Sequence, residues 1–297
     1  MSFREKWIMP PWQFWRVSGV TEWTMPIPAA LTDAVAIDTS ALRTECAELE
    51  TVLQGLSASD WRRRTTFYGW TVADEVMHLC QVDGFGQCAL DRPDAFPQLL
   101  AWVRAGQAAG IELSQRMRET WGALGPDALL AKWHEGWTHL ADGLDAAADD
   151  RRLPWFGPDM RLQSFANARQ MEVWAHGQDI YDLFAIERRN TDRIQTICDL
   201  GVRTHGYAFA QHGLDRPPPP AVVLTAPGGS IWTWNDGSDE RVTGSAVDFA
   251  LVVTHRRRAE DTALAATGKG AAAWLAIAQC FAGEPRDWSA GAGDDSA

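Results

Sequence analysis

Arg169-Gln-Met-Glu172-Val-Trp-Ala-His176-Gly-Gln-Asp179 places a carboxylate and an imidazole four residues apart in a run without proline. At about 3.6 residues per turn that spacing stacks Glu172 and His176 on one helical face, with Asp179 one further turn along. Phe165, Met171, Trp174, Ile180 and Leu183 follow a helical apolar pattern around them, which predicts a helix from about 162 to 186. A Glu on so apolar a helix is costly to bury unless it is paired or bound to a metal. An E-x-x-x-H alone also arises as an ordinary exposed pair, so a site needs a third group. His78, in Gly69-Trp-Thr-Val-Ala-Asp-Glu-Val-Met-His78-Leu, is the best candidate, because that segment also reads as helix. Two antiparallel helices would bring the three side chains together. Two histidines and one carboxylate hold Zn²⁺ by three protein ligands and leave a coordination position open, as catalytic zinc requires.

Upstream, Leu42, Cys46, Leu49 and Leu53 recur at helical steps and predict a first helix between 31 and 56. Thr71 is the expected N-cap of a second, running to about Leu90, with Asp74 and Glu75 in its first turn, where the helix dipole favours acids. A long helix is expected from about Phe96 to Leu124, another from Gly125-Pro-Asp127 through Ala148, and a further one from Asp192 to His212. Between them, Arg151-Arg-Leu-Pro-Trp-Phe-Gly-Pro158 mixes breakers with aromatics and reads as a loop folded back on something apolar. Pro217 to Pro220 forbid helix and mark a boundary. Beyond it, Ala221–Thr225 and Ser230–Trp234 read as strands around a Pro227-Gly-Gly229 turn, with helices at 245–254 and 271–282 and a strand at Leu264–Thr267. The expected organisation is mainly α: a weakly structured extension over 1–28 with four tryptophans, a helical bundle over 29–215, a small α+β domain over 216–286 and a disordered tail over 287–297.

Of 297 residues, 46% are hydrophobic and 22% charged, a globular composition, and the formal net charge of -12 argues against a nucleic-acid partner. The arginine runs 62–64 and 256–258 read as solvated corners or anion-binding points. Five cysteines at 46, 80, 88, 198 and 280 form no C-x-x-C pair, which speaks against a disulfide framework or a cysteine zinc site and for a reduced, cytoplasmic setting. No apolar run approaches the roughly 18 residues of a membrane span. A soluble monomer or homodimer is expected, with neither a membrane nor a nucleic acid as partner. Motifs of hydrolase triads, nucleotide hydrolysis and dinucleotide binding do not occur.

Thr66-Phe-Tyr-Gly-Trp-Thr-Val-Ala-Asp-Glu-Val-Met-His78-Leu, taken with Ala168-Arg-Gln-Met-Glu172-Val-Trp-Ala-His176-Gly-Gln-Asp179, resembles the mycothiol-dependent maleylpyruvate isomerase group of the DinB-like superfamily. The likeness is to actinobacterial metal-binding members that join a DinB-like helical bundle to a small C-terminal domain. It spans about residues 31 to 286, including Val242-Thr-Gly-Ser-Ala-Val-Asp-Phe249 and Trp274-Leu-Ala-Ile-Ala-Gln-Cys-Phe-Ala-Gly283. The resemblance implies His78, Glu172 and His176 as ligands of a divalent metal, usually zinc, that activates the thiol of mycothiol or a similar small thiol. Thiolate attack on a small electrophilic substrate then gives isomerisation, S-transfer or conjugation. Arg169 is expected to orient Glu172, to bind an anionic substrate, or to form an interhelix ion pair. Asp179 is expected to accept a ligand imidazole N–H or to form a salt bridge. Glu75 reads as a first-turn acid ahead of a fourth ligand or proton acceptor. The resemblance also makes a C-terminal arginine important, and Arg257, close to His255, is the candidate cofactor-binding residue. Two other readings stay open: a hydrolase using metal-bound water, and a non-catalytic metal or small-ligand carrier whose pocket draws on the chain's sixteen tryptophans.

Overall fold

A computed structural model describes residues 37–147 and 151–283. The expected N-terminal extension and C-terminal tail lie outside the described residues. Helix α1 (Ser40–Gln54) buries Leu42, Cys46, Leu49 and Leu53, the stripe its spacing predicts. Helix α2 (Val72–Asp91) starts at a reciprocal cap: the Thr71 hydroxyl accepts from the Asp74 N–H at 3.1 Å, and the Asp74 carboxylate accepts from the Thr71 N–H at 2.9 Å. Arg118 then donates to the other Asp74 oxygen at 2.7 Å.

The single helix expected from Phe96 to Leu124 is two, α3 (Phe96–Ala108) and α4 (Leu113–Trp121). Gly110 takes φ of +74°, and the Ile111 N–H closes back on the Gly106 carbonyl at 2.8 Å. That left-handed glycine ends α3 and satisfies its last carbonyls. Helix α5 (Pro126–Ala146) follows. A short antiparallel ribbon, β1 (Arg152–Leu153) with β2 (Met160–Arg161), then carries Trp155 and Phe156 onto Phe96 and Phe165, the apolar fold-back expected of this loop.

Helix α6 (Leu162–Leu183) runs through the middle of the molecule and supplies side chains to three apolar cores. Leu162, Phe165 and Ala166 pack with Leu140 and Leu144 of α5, and Val173 and Ile180 with α1 and α2. Met171, Trp174 and Ala175 join the C-terminal part of the chain. The stretch expected as one helix over 192–212 divides into α7 (Gln195–Arg203) and α8 (His205–Gln211). At the break the Thr204 hydroxyl donates to the Leu200 carbonyl at 2.9 Å, a local bond that competes with the helical ladder.

After the prolines, β3 (Ala221–Thr225), β4 (Ile231–Trp234), β5 (Arg241–Ser245) and β6 (Ala265–Thr267) form a sheet of order β4-β3-β5-β6. β3 and β5 run parallel and the other pairs antiparallel. Helices α9 (Ala246–Val253) and α10 (Lys269–Ile277) accompany it. Val222 and Val242 of the sheet, Phe249 of α9 and Trp274 of α10 share one core with Trp174, Ile197 and Cys198. The sheet-bearing part is therefore seated on α6 and α7. Among the described residues no helix is long and apolar enough to cross a membrane.

Candidate metal centre

Two long helices bring the three expected ligands together. His78 stands two turns into α2, and Glu172 and His176 stand one turn apart on α6. One Glu172 carboxylate oxygen lies 3.6 Å from Nε2 of His78 and 3.4 Å from Nε2 of His176, and the three donor atoms all fall within 4.8 Å of one another. Donors held about 2.1 Å from a tetrahedral zinc stand roughly 3.4 Å apart, so the set has the spacing of a three-ligand centre. Glu172 and His78 keep 23% side-chain exposure while His176 has 5%, so the set opens on one side only.

The electrostatics suit a metal. Burial, reinforced by the neighbouring imidazole, holds His78 below the usual histidine value. Burial likewise lowers His176, against the pull of Glu172. Both rings are therefore neutral near pH 7, with a lone pair to give. Burial opposes the charge on Glu172, but the two imidazoles hold its carboxyl well below the ordinary range.

Behind His176 lies a carboxylate that sequence reasoning undervalued. Glu75 is the expected first-turn acid but is also fully buried, with one oxygen 2.7 Å from Nδ1 of His176 and the other accepting from the Thr65 hydroxyl at 2.6 Å. Burial pushes its carboxyl up to about 7, with the Thr65 bond offsetting part of the rise. With a neutral ring the Nδ1–H donates to Glu75, which turns the Nε2 lone pair toward Glu172 and His78. The signal in the sequence was the i−3 spacing from His78.

Asp179 also approaches His176 and Glu75, and the three form a second group of close donors. A cation already occupies that side: Arg256 donates to Asp179 from Nε at 3.0 Å and from Nη2 at 2.7 Å. Asp179 is thus the partner of an arginine, and it is Glu75 that faces Nδ1 of His176. Burial raises the Asp179 carboxyl to about 6 despite the Arg256 charge. Of the arginine run 256–258 it is Arg256 that reaches inward, 5% exposed, with its guanidinium 4.7 Å from the Phe67 ring centre. Arg257 forms a part-exposed bidentate pair with Asp182 at 2.7 and 2.9 Å, and the His255 ring faces the Ala278 carbonyl.

Arg169 pairs with Asp83, not with Glu172. Its Nε donates to an Asp83 oxygen at 3.1 Å, and both residues are buried. Asp83 lies five residues after His78, so this interhelix pair bolts α2 to α6 beside the ligands. Aromatic rings close the opposite side. Trp70 lies parallel to the His176 ring at 6.0 Å and tilted to His78 at 5.4 Å, while Phe67 meets His176 edge-on at 5.1 Å. On the open side Glu172 and Arg169 border a cavity of about 910 Å³ between α6, α7 and the segment around Phe281.

The chain matches the family model described as the mycothiol maleylpyruvate isomerase N-terminal domain over residues 42–181. Two curated proteins from two strains of Mycobacterium tuberculosis, both named as uncharacterized, are 38% identical over 246 residues, which is 82% of this chain and 95% of theirs. Among solved structures, the crystal structure of the mycothiol-dependent maleylpyruvate isomerase aligns with a TM-score of 0.50 at 15% identity, over 84% of this chain and 95% of that one. A histidine-to-alanine mutant of the same protein aligns equally. These two structures share the fold described above.

Proposed function

The chain belongs to the mycothiol maleylpyruvate isomerase family, and from that membership we propose that it is a metal-dependent enzyme using a small thiol, mycothiol, on an electrophilic substrate. The observation that carries this reading is the convergence of His78 Nε2, Glu172 and His176 Nε2, with Glu172 on the cavity wall. These three residues would hold a divalent ion, zinc on the preference of the donor set. Such an ion, when bound, lowers the pKa of a coordinating thiol and so makes thiolate available near neutral pH.

The chain's own groups have separate tasks. Glu75, backed by Thr65, fixes the His176 tautomer and ring plane. The Arg169–Asp83 and Arg256–Asp179 pairs lock α6 against α2 and against the C-terminal part. Phe67 and Trp70 exclude water behind the ligands, leaving the cavity as the way in.

All five cysteines are free and buried. Burial pushes the Cys80 thiol up to about 12 and raises Cys46, Cys198 and Cys280 above their ordinary value. Among these the chain offers no thiolate of its own, which supports a nucleophile that arrives as a co-substrate. Sulfur addition to a conjugated double bond, rotation about the resulting single bond and expulsion of the thiolate would isomerise the substrate and return the thiol. If the sulfur instead stays on the substrate, the outcome is S-transfer. A cytoplasmic location suits a protein that depends on a reduced thiol.

Metal analysis and turnover with and without mycothiol test the reading. The wild-type protein should carry about one zinc per chain and turn over only with thiol present. His176→Ala should lose both. Full zinc occupancy in that variant would sink the ligand assignment, and thiol-independent hydrolysis by the zinc form would replace the thiol enzyme with a metal hydrolase.

A further inference from the structure

The cavity beside Glu172 extends well away from the candidate ligands. Its wall on α6 runs from Arg161, at the N-cap, through Phe165 to Glu172. Eleven residues at about 1.5 Å each put Arg161 roughly 16 Å from the ligand carboxylate. The facing wall is α7. Thr196 bonds Gln170 near the Glu172 end, and Arg203 lies seven residues, or about 10 Å, farther along that helix.

The two ends of this groove differ in charge. At the inner end the Arg169 guanidinium is neutralised by Asp83 at 3.0 Å. Away from Glu172, Arg161 and Arg203 line the cavity and are exposed, and their side chains have no hydrogen-bond or ion-pair partner among the described residues. Arg152 adds a third cation there, tied to the Asp159 carbonyl at 2.7 Å. Besides Glu172 the acids on the same lining are Asp159 and Asp199, and Asp199 is engaged by the Trp234 ring N–H at 2.6 Å. In a chain of net charge -12 such a cationic mouth is a local exception. Between the ends the lining is predominantly apolar, with Trp155, Phe165, Leu200 and Phe281, interrupted by Ser164, Asn167, Thr204 and Tyr207.

We infer that the electrophile is an elongated amphipathic acid. Its reacting carbon lies at the Glu172 end, its apolar body on Trp155, Leu200 and Phe281, and its carboxylate on Arg161 and Arg203. The position of the reacting end rests on the function proposed above, whereas recognition of the acid rests on the groove alone. Arg161 and Arg203 are then the residues that determine specificity.

Isothermal titration of the full-length protein, with and without zinc, against decanoate, decan-1-ol and butanoate tests the groove. Decanoate should bind roughly tenfold or more tightly than either comparator, since the alcohol lacks the charge and the short acid lacks the apolar body. Arg161→Gln/Arg203→Gln should reduce the preference for acid over alcohol by about tenfold, and Arg161→Lys/Arg203→Lys should keep it. Equal binding of decanoate and either comparator, or an undiminished preference in the glutamine variant, overturns the inference. Zinc content of the same samples separates the two readings. Decanoate binding by a protein that takes up no zinc leaves the groove standing and removes the metal. Normal zinc uptake with no gain for decanoate does the reverse.

Discussion

Glu75→Gln isolates the contribution of the group behind the candidate metal centre. The substitution keeps the shape of the side chain and an oxygen for the Thr65 hydroxyl, while removing the negative charge 2.7 Å from Nδ1 of His176. A hydrogen bond to a charged partner contributes about 1.5–3 kcal/mol, and this one is fully buried. If the amide presents its NH₂ to the ring, the imidazole proton moves to Nε2 and the ligand lone pair is lost. At about 1.4 kcal/mol per decade, zinc affinity should therefore fall roughly 10- to 100-fold, the range seen when such supporting carboxylates are removed. Chelator-competition titration measures the affinity. It should be run at pH 8, where the wild-type carboxyl, raised to about 7 by burial, is ionised. Circular dichroism of the metal-free forms confirms that the fold is retained. Unchanged zinc affinity in a folded Glu75→Gln protein would refute the relay from Thr65 through Glu75 to His176.

Three other outcomes follow from the packing. Arg256→Ala strands Asp179 without its cation in a buried site, where both partners are 2–3% exposed, so thermal or urea unfolding should show a loss of about 3–5 kcal/mol. Arg256→Met/Asp179→Leu should recover most of it. Burial works against the Asp74 charge, but Arg118 and the Thr71 cap hold its carboxyl below the ordinary value. Its contribution to stability is thus complete above the unfolded value of about 3.9 and is lost as pH falls through the lower folded value. Urea midpoints followed downward from about pH 5 should lose less in Asp74→Asn than in wild type; equal slopes would contradict the sign. Gly110→Ala meets open space but must adopt φ of +74°, so it should cost about 1–2 kcal/mol by chemical unfolding without touching zinc uptake.

Much of the fold was readable because its helices are strongly periodic or capped. The Leu42-to-Leu53 stripe, the Thr71 cap and the long apolar pattern of α6 each set an element close to where it lies. The misreadings have local causes. Helix propensity runs on through Ala108 and Ala109, and only the left-handed glycine at 110 separates α3 from α4. At Thr204 the side-chain hydroxyl shares the Leu200 carbonyl with the backbone N–H, and the glycines at 201 and 206 on either side carry too weak a signal to mark the break. Strand β5 carries one buried residue, Val242, beside an arginine, a glycine and two hydroxyl residues, so it lacked an apolar signature and was found only by its pairing with β3 and β6.

At the site, the spacing within α6 exposed Glu172 and His176, the helical reading of the 69–79 segment offered His78 as the third group, and the resemblance implied all three together. The groups that act through tertiary contact were harder to place. Asp83 behind Arg169, Arg256 beside Asp179, and Phe67 and Trp70 over the His176 ring lie 77–109 residues from the partners they serve, so no local pattern connects them. Glu75 was visible as an acid, but its burial was not.

Helix α6 carries two of the candidate ligands and contributes to all three apolar cores. A segment gripped on every side has no cheap local opening, because loosening it exposes three interiors at once. Its amide hydrogens should exchange with solvent only through global unfolding, in contrast to those of α3 and α4, which bury few side chains. Breathing of this helix is therefore a poor route to the candidate ligands: any ion or reactant would have to pass through the cavity, and the chain's slowest-exchanging backbone should lie beneath the candidate site.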